Sequence, residues 1–71
     1  MQLVINGQPR EFPDLTPDAR IADLITILGL KNDRVAIERN GEIVARASWT
    51  ETALQSGDKL EIVHFVGGGR R

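Results

Sequence analysis

The stretch that decides the fold is "RIADLITILGL", residues 20–30. Ile21, Leu24, Ile25 and Leu28 recur at i, i+3, i+4 and i+7, which places four apolar side chains on one stripe of a helix. Gly29 follows at once and suits the left-handed residue with which helices commonly end, leaving Leu30 able to pack back on the last turn. The start is marked less sharply. Thr16 and Asp18 are capping residue types, yet both precede the first periodic position by several residues. One short amphipathic helix must lay its stripe on something, so the flanking segments have to supply an apolar surface.

On both sides they read as hairpins. "MQLVI" is rich in apolar and β-branched residues, and Asn6-Gly7 is a dipeptide that tolerates positive φ in a two-residue turn. Gln8 to Phe12 return as a second strand, which Pro9 weakens or confines to a sheet edge. Pro13 and Pro17 then interrupt regular structure before the helix. After the helix, "RVAIERNGEIVA" (residues 34–45) repeats the pattern: Val35 and Ile37 alternate with Ala36 and Glu38, Asn40-Gly41 turns the chain, and Ile43-Val44 returns it. "RASWTETALQSGDKL" is an irregular crossing with a turn at Ser56-Gly57-Asp58. The last strand, "KLEIVHFV" (residues 59–66), is the strongest, with Leu60 and Ile62 facing the core and Lys59, Glu61, Val63 and Phe65 facing away.

The order is hairpin, helix, hairpin, crossing, strand. An α+β fold follows, a five-stranded mixed sheet with one main helix packed on one face. The helical stripe then meets Leu3, Ile5, Val35, Ile37, Leu60 and Ile62. This layout is that of the β-grasp, or ubiquitin-like, fold. It divides the chain into a domain of residues 1–66 and a glycine-rich tail, residues 67–71.

Composition narrows the functional classes. A chain of 71 residues buries only about 60% of the surface its unfolded form exposes, so most of its apolar residues are needed for the core. There is no cysteine and no tyrosine, and His64 is the single histidine. That removes disulfides, thiolate metal sites and thiol nucleophiles, and leaves no pair of side chains to act as nucleophile and base. A stand-alone enzyme is not expected, and no catalytic residue or metal site is assigned. The formal net charge is −1, with two of the nine basic residues being Arg70 and Arg71. Nucleic acid is not the expected partner, because phosphate binding needs a concentrated basic patch. No apolar run approaches a membrane span, and "MQLVINGQPR" does not read as a signal peptide. A cytoplasmic, soluble domain is the expectation.

The chain closes on "VHFVGGGRR". Glycine loses the most backbone freedom on ordering and adds no side chain to packing, so Gly67, Gly68 and Gly69 are a poor stabilising device. They suit an end that threads a narrow channel in another protein. Residues 67–71, fully extended, span about 17 Å, enough to enter a partner's active site. A glycine α-carboxylate is ionised at neutral pH and resists nucleophilic attack until activated, for instance as an acyl-adenylate. Sulfide attack then yields a thiocarboxylate, and a terminal glycine leaves that carbonyl uncrowded. Glycine-rich ends are also commonly mere flexible termini. What favours function is a tail joined directly to a core strand in a chain without catalytic equipment.

Val63 and Phe65, with Val4 expected beside them on the first strand, point away from the helix. If that face is uncovered they form an apolar partner interface next to the tail. Scattered surface hydrophobes or cover by the crossing segment are the plainer readings. Trp49 is expected to anchor the crossing onto the core, and His64 to be structural.

"VAIERNGEIVARASW" followed by "SGDKLEIVHFVGGG", together with "MQLVING" and "IADLITILGL", resembles the ThiS family, the sulfur carriers of thiamine biosynthesis, over residues 1–69. The resemblance implies a ubiquitin-like fold and a diglycine end, here Gly68-Gly69. Gly69 would then be the sulfur-carrying residue. It further implies a ThiF-like enzyme that adenylates the terminal carboxyl with its own ATP, a sulfur donor such as a cysteine desulfurase, and a ThiG-like thiazole synthase that receives the sulfur. No cofactor is implied for the carrier itself. Arg70-Arg71 depart from the pattern, because they tie the required carboxylate into a peptide bond. A segment removed by a peptidase, an end foreign to the natural product, and a relative that only binds partners are the three accounts. Two other functions stay open: a carrier like the small subunit of molybdopterin synthase, and a ubiquitin-like interaction domain without sulfur chemistry.

Overall fold

A computed structural model of the chain describes residues 1–65. Its strands are β1 (Gln2–Ile5), β2 (Gln8–Glu11), β3 (Val35–Arg39), β4 (Glu42–Val44) and β5 (Lys59–His64), and its helix is α1 (Ile21–Leu28). They form one mixed sheet in the order β2-β1-β5-β3-β4. β5 pairs parallel with β1 and antiparallel with β3, while each hairpin is antiparallel. The expected α+β layout is what is found, and β2 with its Pro9 does lie at an edge, where a missing N–H leaves no ladder bond unmade.

Both hairpin turns are two residues long, and all four central residues have positive φ: Asn6 50°, Gly7 83°, Asn40 53° and Gly41 90°. That is the type I′ geometry, whose twist matches the strands it joins. The two asparagines also reach sideways to β5. Asn6 accepts the Ile62 N–H through Oδ1 at 2.7 Å and donates Nδ2 to the Ile62 carbonyl at 3.1 Å. Asn40 accepts the Lys59 N–H through Oδ1 at 2.9 Å and donates its backbone N–H to the Lys59 carbonyl at 2.7 Å. Each turn thus extends the sheet onto the central strand after its own strand has ended.

α1 buries Ile21, Leu24 and Ile25 against Leu3, Ile5, Val35, Ile37 and Leu60, with Leu28, Leu30 and Ile62 packed partly buried around them. Trp49 is buried, its indole Nε1 donating to the Val44 carbonyl at 3.0 Å, so it anchors the crossing as expected. The helix ends as read: Gly29 sits at φ 72°, its N–H bonds Thr26, and Leu30 bonds back to Ile25. Its start differs. Neither Thr16 nor Asp18 caps it; Arg20 precedes the first turn, and Asp23 Oδ2 accepts the Arg20 N–H at 2.8 Å. The N–H groups of Ile21 and Ala22 bond to the carbonyls of Thr52 and Trp49. The crossing segment, not a local side chain, fills the role of cap.

Candidate functional site

β5 is the axis of the site, because it leads toward the glycine run. Its backbone is held on one side by β1 and the Asn6 amide and on the other by β3 and Asn40. The last backbone bond among the described residues runs from the Phe65 N–H to the Arg34 carbonyl. A strand gripped on both edges is a rigid base for whatever follows. Gly67, Gly68 and Gly69, Arg70-Arg71 and the expected domain boundary lie outside the described residues.

Side chains alternate along β5, with Leu60 and Ile62 toward α1 and Lys59, Glu61 and Val63 on the outer face. Val63 (55% exposed) and Phe65 (53%) stand there as expected, and Ile43 of β4 joins them at 77%. With Ala36, opposite Val63 in the ladder, they line a shallow apolar hollow of about 240 Å³. Val4 shares the face but lies outside this group. It is level with Lys59, four positions along β5 from Val63, which is about 13 Å of strand.

Glu38 and Glu61 border the hollow and are directly opposed across β3 and β5. Among the described residues the ion pairs are Met1–Glu11 and Arg39–Asp58, and neither of these glutamates takes part. Ile43 stands opposite Glu38 in the β3–β4 ladder, so one cross-strand row reads Ile43, Glu38, Glu61. Alternation along the separate strands does not by itself reveal this row. Its signal was the Asn40-Gly41 turn, which pairs 38 with 43 once two residues are assigned to the turn.

His64 is exposed, opposite Val35, and borders a second hollow with Arg10, Leu28 and Leu30 on the helix side. Among the described residues no three His, Asp or Glu side chains group as metal ligands do, and no helix is long and apolar enough to cross a membrane. Asp58 is the one buried charged residue among the described residues. It accepts from Arg39 Nε at 2.8 Å, the Gln55 N–H at 2.8 Å and Asn40 Nδ2 at 3.2 Å. Burial alone would raise its carboxyl, but these hydrogen bonds and the Arg39 charge outweigh it and hold the group below its ordinary value of 3.8. The role is architectural: it fastens the 55–58 turn to the β3–β4 hairpin.

Comparison with known proteins places this geometry. A family model described as the ThiS family matches residues 3–69. The chain is 47% identical over 67 residues to a sulfur carrier protein ThiS of Bacillus subtilis, covering 94% of this chain and 98% of that protein. It is also 47% identical over 70 residues to a thiazole synthase of Paramagnetospirillum magneticum, covering 97% of this chain but 20% of that protein. A thiazole synthase of Magnetococcus marinus is 36% identical over 70 residues. The chain spans about a fifth of the length of these two synthases. A crystal structure of a thiamine biosynthesis protein, ThiS, from Geobacter metallireducens superposes with a TM-score of 0.81 at 30% identity, covering 97% of this chain and all of that one.

Proposed function

Because the chain belongs to the ThiS family, we propose that it carries sulfur for thiazole formation on the carboxyl of Gly69. The observation that carries this reading is the match to the Bacillus carrier over nearly the whole of both chains, with a family match that runs through Gly69. The sequence has no cysteine that could carry sulfur as a persulfide, which accords with a carrier that holds it on a carboxyl.

The chemistry takes two steps, both performed by partners. In the first, the Gly69 carboxylate attacks the α-phosphorus of ATP on a ThiF-like enzyme and pyrophosphate leaves. In the second, sulfide attacks the acyl-adenylate carbonyl; a donor such as a cysteine desulfurase holds its sulfur as a persulfide, from which a thiol reductant releases sulfide and is itself oxidised to a disulfide. AMP leaves, and a thiocarboxylate remains. A ThiG-like thiazole synthase takes the sulfur. The two synthases that contain a matching segment within their own, longer chains support that partnership. The carrier contributes a rigid handle, a face to dock, and an uncrowded carbonyl.

Arg70-Arg71 must be removed first, since a peptide bond at Gly69 offers no carboxylate to adenylate. The test is intact mass after incubation with the adenylating enzyme, ATP and a sulfide source. A chain ending at Gly69 gains the mass of one oxygen-to-sulfur exchange, and the chain ending at Arg71 gains none. A mass gain at an uncleaved Arg71, or none at a free Gly69, overturns the proposal.

A further inference from the structure

Asparagine followed by glycine occurs twice in the sequence, at Asn6-Gly7 and Asn40-Gly41. In an open chain such a pair is among the least durable. Glycine has no Cβ to shield its nitrogen, which attacks the amide carbon of the preceding side chain. The bond from the glycine nitrogen to Cγ forms, the Cγ–Nδ2 bond breaks, and ammonia leaves with the glycine's amide proton. Water then opens the five-membered imide at either carbonyl, giving aspartate or, with the chain rerouted through the side chain, isoaspartate. Nothing is oxidised or reduced.

The fold closes both turns against this reaction. The imide fixes the asparagine ψ outside the left-handed region, whereas Asn6 and Asn40 sit at φ 50° and 53° in type I′ turns. Both polar atoms of each side-chain amide are engaged as well. Those of Asn6 hold the N–H and carbonyl of Ile62. Asn40 Oδ1 accepts the Lys59 N–H at 2.9 Å, and its Nδ2 donates to Asp58 Oδ1 at 3.2 Å. Ring closure must break two hydrogen bonds and unwind a turn, so it waits for the hairpin to part from β5.

We propose that both Asn-Gly turns are sites of spontaneous deamidation held shut by their grip on β5, and that conversion at Asn40 leaves a lasting fault. Water is the one co-reactant, and the modification accumulates with time spent open. The two products differ in their surroundings. At position 6 the new carboxylate meets a single carbonyl at an exposed site. At position 40 it stands at hydrogen-bond distance from the carboxylate of Asp58, which is 6% exposed, and the two negative charges repel. Arg39 is the one cation paired with Asp58 among the described residues, and Asp58 already occupies it. The isoaspartate product also lengthens the main chain within a two-residue turn, which upsets the pairing of Arg39 with Glu42. Either way β5 loses its anchor at Lys59, whose N–H and carbonyl both bond to Asn40.

The test keeps the full chain folded, or unfolded in urea, at mildly alkaline pH, and follows each asparagine by peptide mass spectrometry. In urea the two sites convert at similar rates, and folding slows each by about tenfold or more. Asp58→Ala removes the acceptor of Asn40 and spares the contacts of Asn6. In that folded variant the ratio of the Asn40 rate to the Asn6 rate rises about fivefold over wild type, the weight of one hydrogen bond; a general loss of stability would speed both sites alike. Asn40→Asp, which supplies the product directly, melts about 8 °C or more below wild type, and Asn6→Asp falls by about half as much. Folded wild type that converts as fast as the chain in urea overturns the proposal, as does an unchanged ratio in folded Asp58→Ala. An Asn40→Asp protein as stable as wild type overturns the lasting fault assigned to that site. The urea comparison and Asn40→Asp decide the matter if Asp58→Ala does not fold.

Discussion

At Asp58 one carboxylate gathers the turn at 55–58, the Asn40 amide and the Arg39 guanidinium into a single knot. Removing it leaves a partly buried cation and two donors without their acceptor, the situation in which a lost hydrogen-bonded pair is most damaging. Asp58→Ala is expected to lower stability by about 2–3 kcal/mol in urea unfolding at neutral pH. The pH dependence has a definite sign. The folded-state carboxyl titrates below its ordinary value of 3.8, so its contribution is complete above the unfolded value and is lost as acid protonates the folded carboxylate. The gap between wild type and variant therefore narrows as the pH falls from about 4 through the lower value of the folded carboxyl. Ser56-Gly57-Asp58 reads from sequence as a turn and no more. The bonds to Arg39 and Asn40 join residues distant along the chain, and no local pattern announces them.

Among the elements, α1 shows what governs legibility. Its C-terminal end rests on Gly29, a residue whose conformational freedom is written in its identity. Gly29→Ala places a side chain at φ 72° with no neighbouring atom within 4 Å to clash. The penalty is thus the left-handed backbone alone, about 1 kcal/mol, or about 4–8 °C in melting temperature for a domain this size. The N-terminal end was not legible, because its donors go to carbonyls of Trp49 and Thr52, brought there by the fold. The outer face lies between these cases. Alternation along β5 exposes Val63 and Phe65, as read; Val4 falls on the right face at the wrong height, since parallel register between β1 and β5 has no turn to reveal it. Ile43 and the Glu38–Glu61 row were within reach, one hairpin register away.

For the molecule as a whole, the architecture was readable because two Asn-Gly hairpins, one periodic helix and one strong strand leave few ways to cover a single apolar stripe. The proposed functional end was read for another reason: glycine in series has little structural use, and the proposed chemistry lies in a carboxyl group that needs no pocket of its own. Cooperation among the parts centres on β5, which holds the two hairpins together through both ladders and both asparagine amides. A chain shortened to residues 1–58 loses that axis, and neither two-stranded ribbon is expected to persist alone. Its proton NMR spectrum should lack dispersion and its thermal trace a cooperative step; a folded residue 1–58 would contradict the central role given to β5.

That strand is in the middle of the sheet in space and the last of the described strands in sequence. On the ribosome the order of manufacture is therefore the reverse of the order of need. Both hairpins and the helix emerge early and must wait, unassembled, for residues 59–64 to clear the exit tunnel. Translation of this domain is then a period of exposure to proteases and chaperones, closed by one late event. The residues that follow emerge only as the body before them snaps shut.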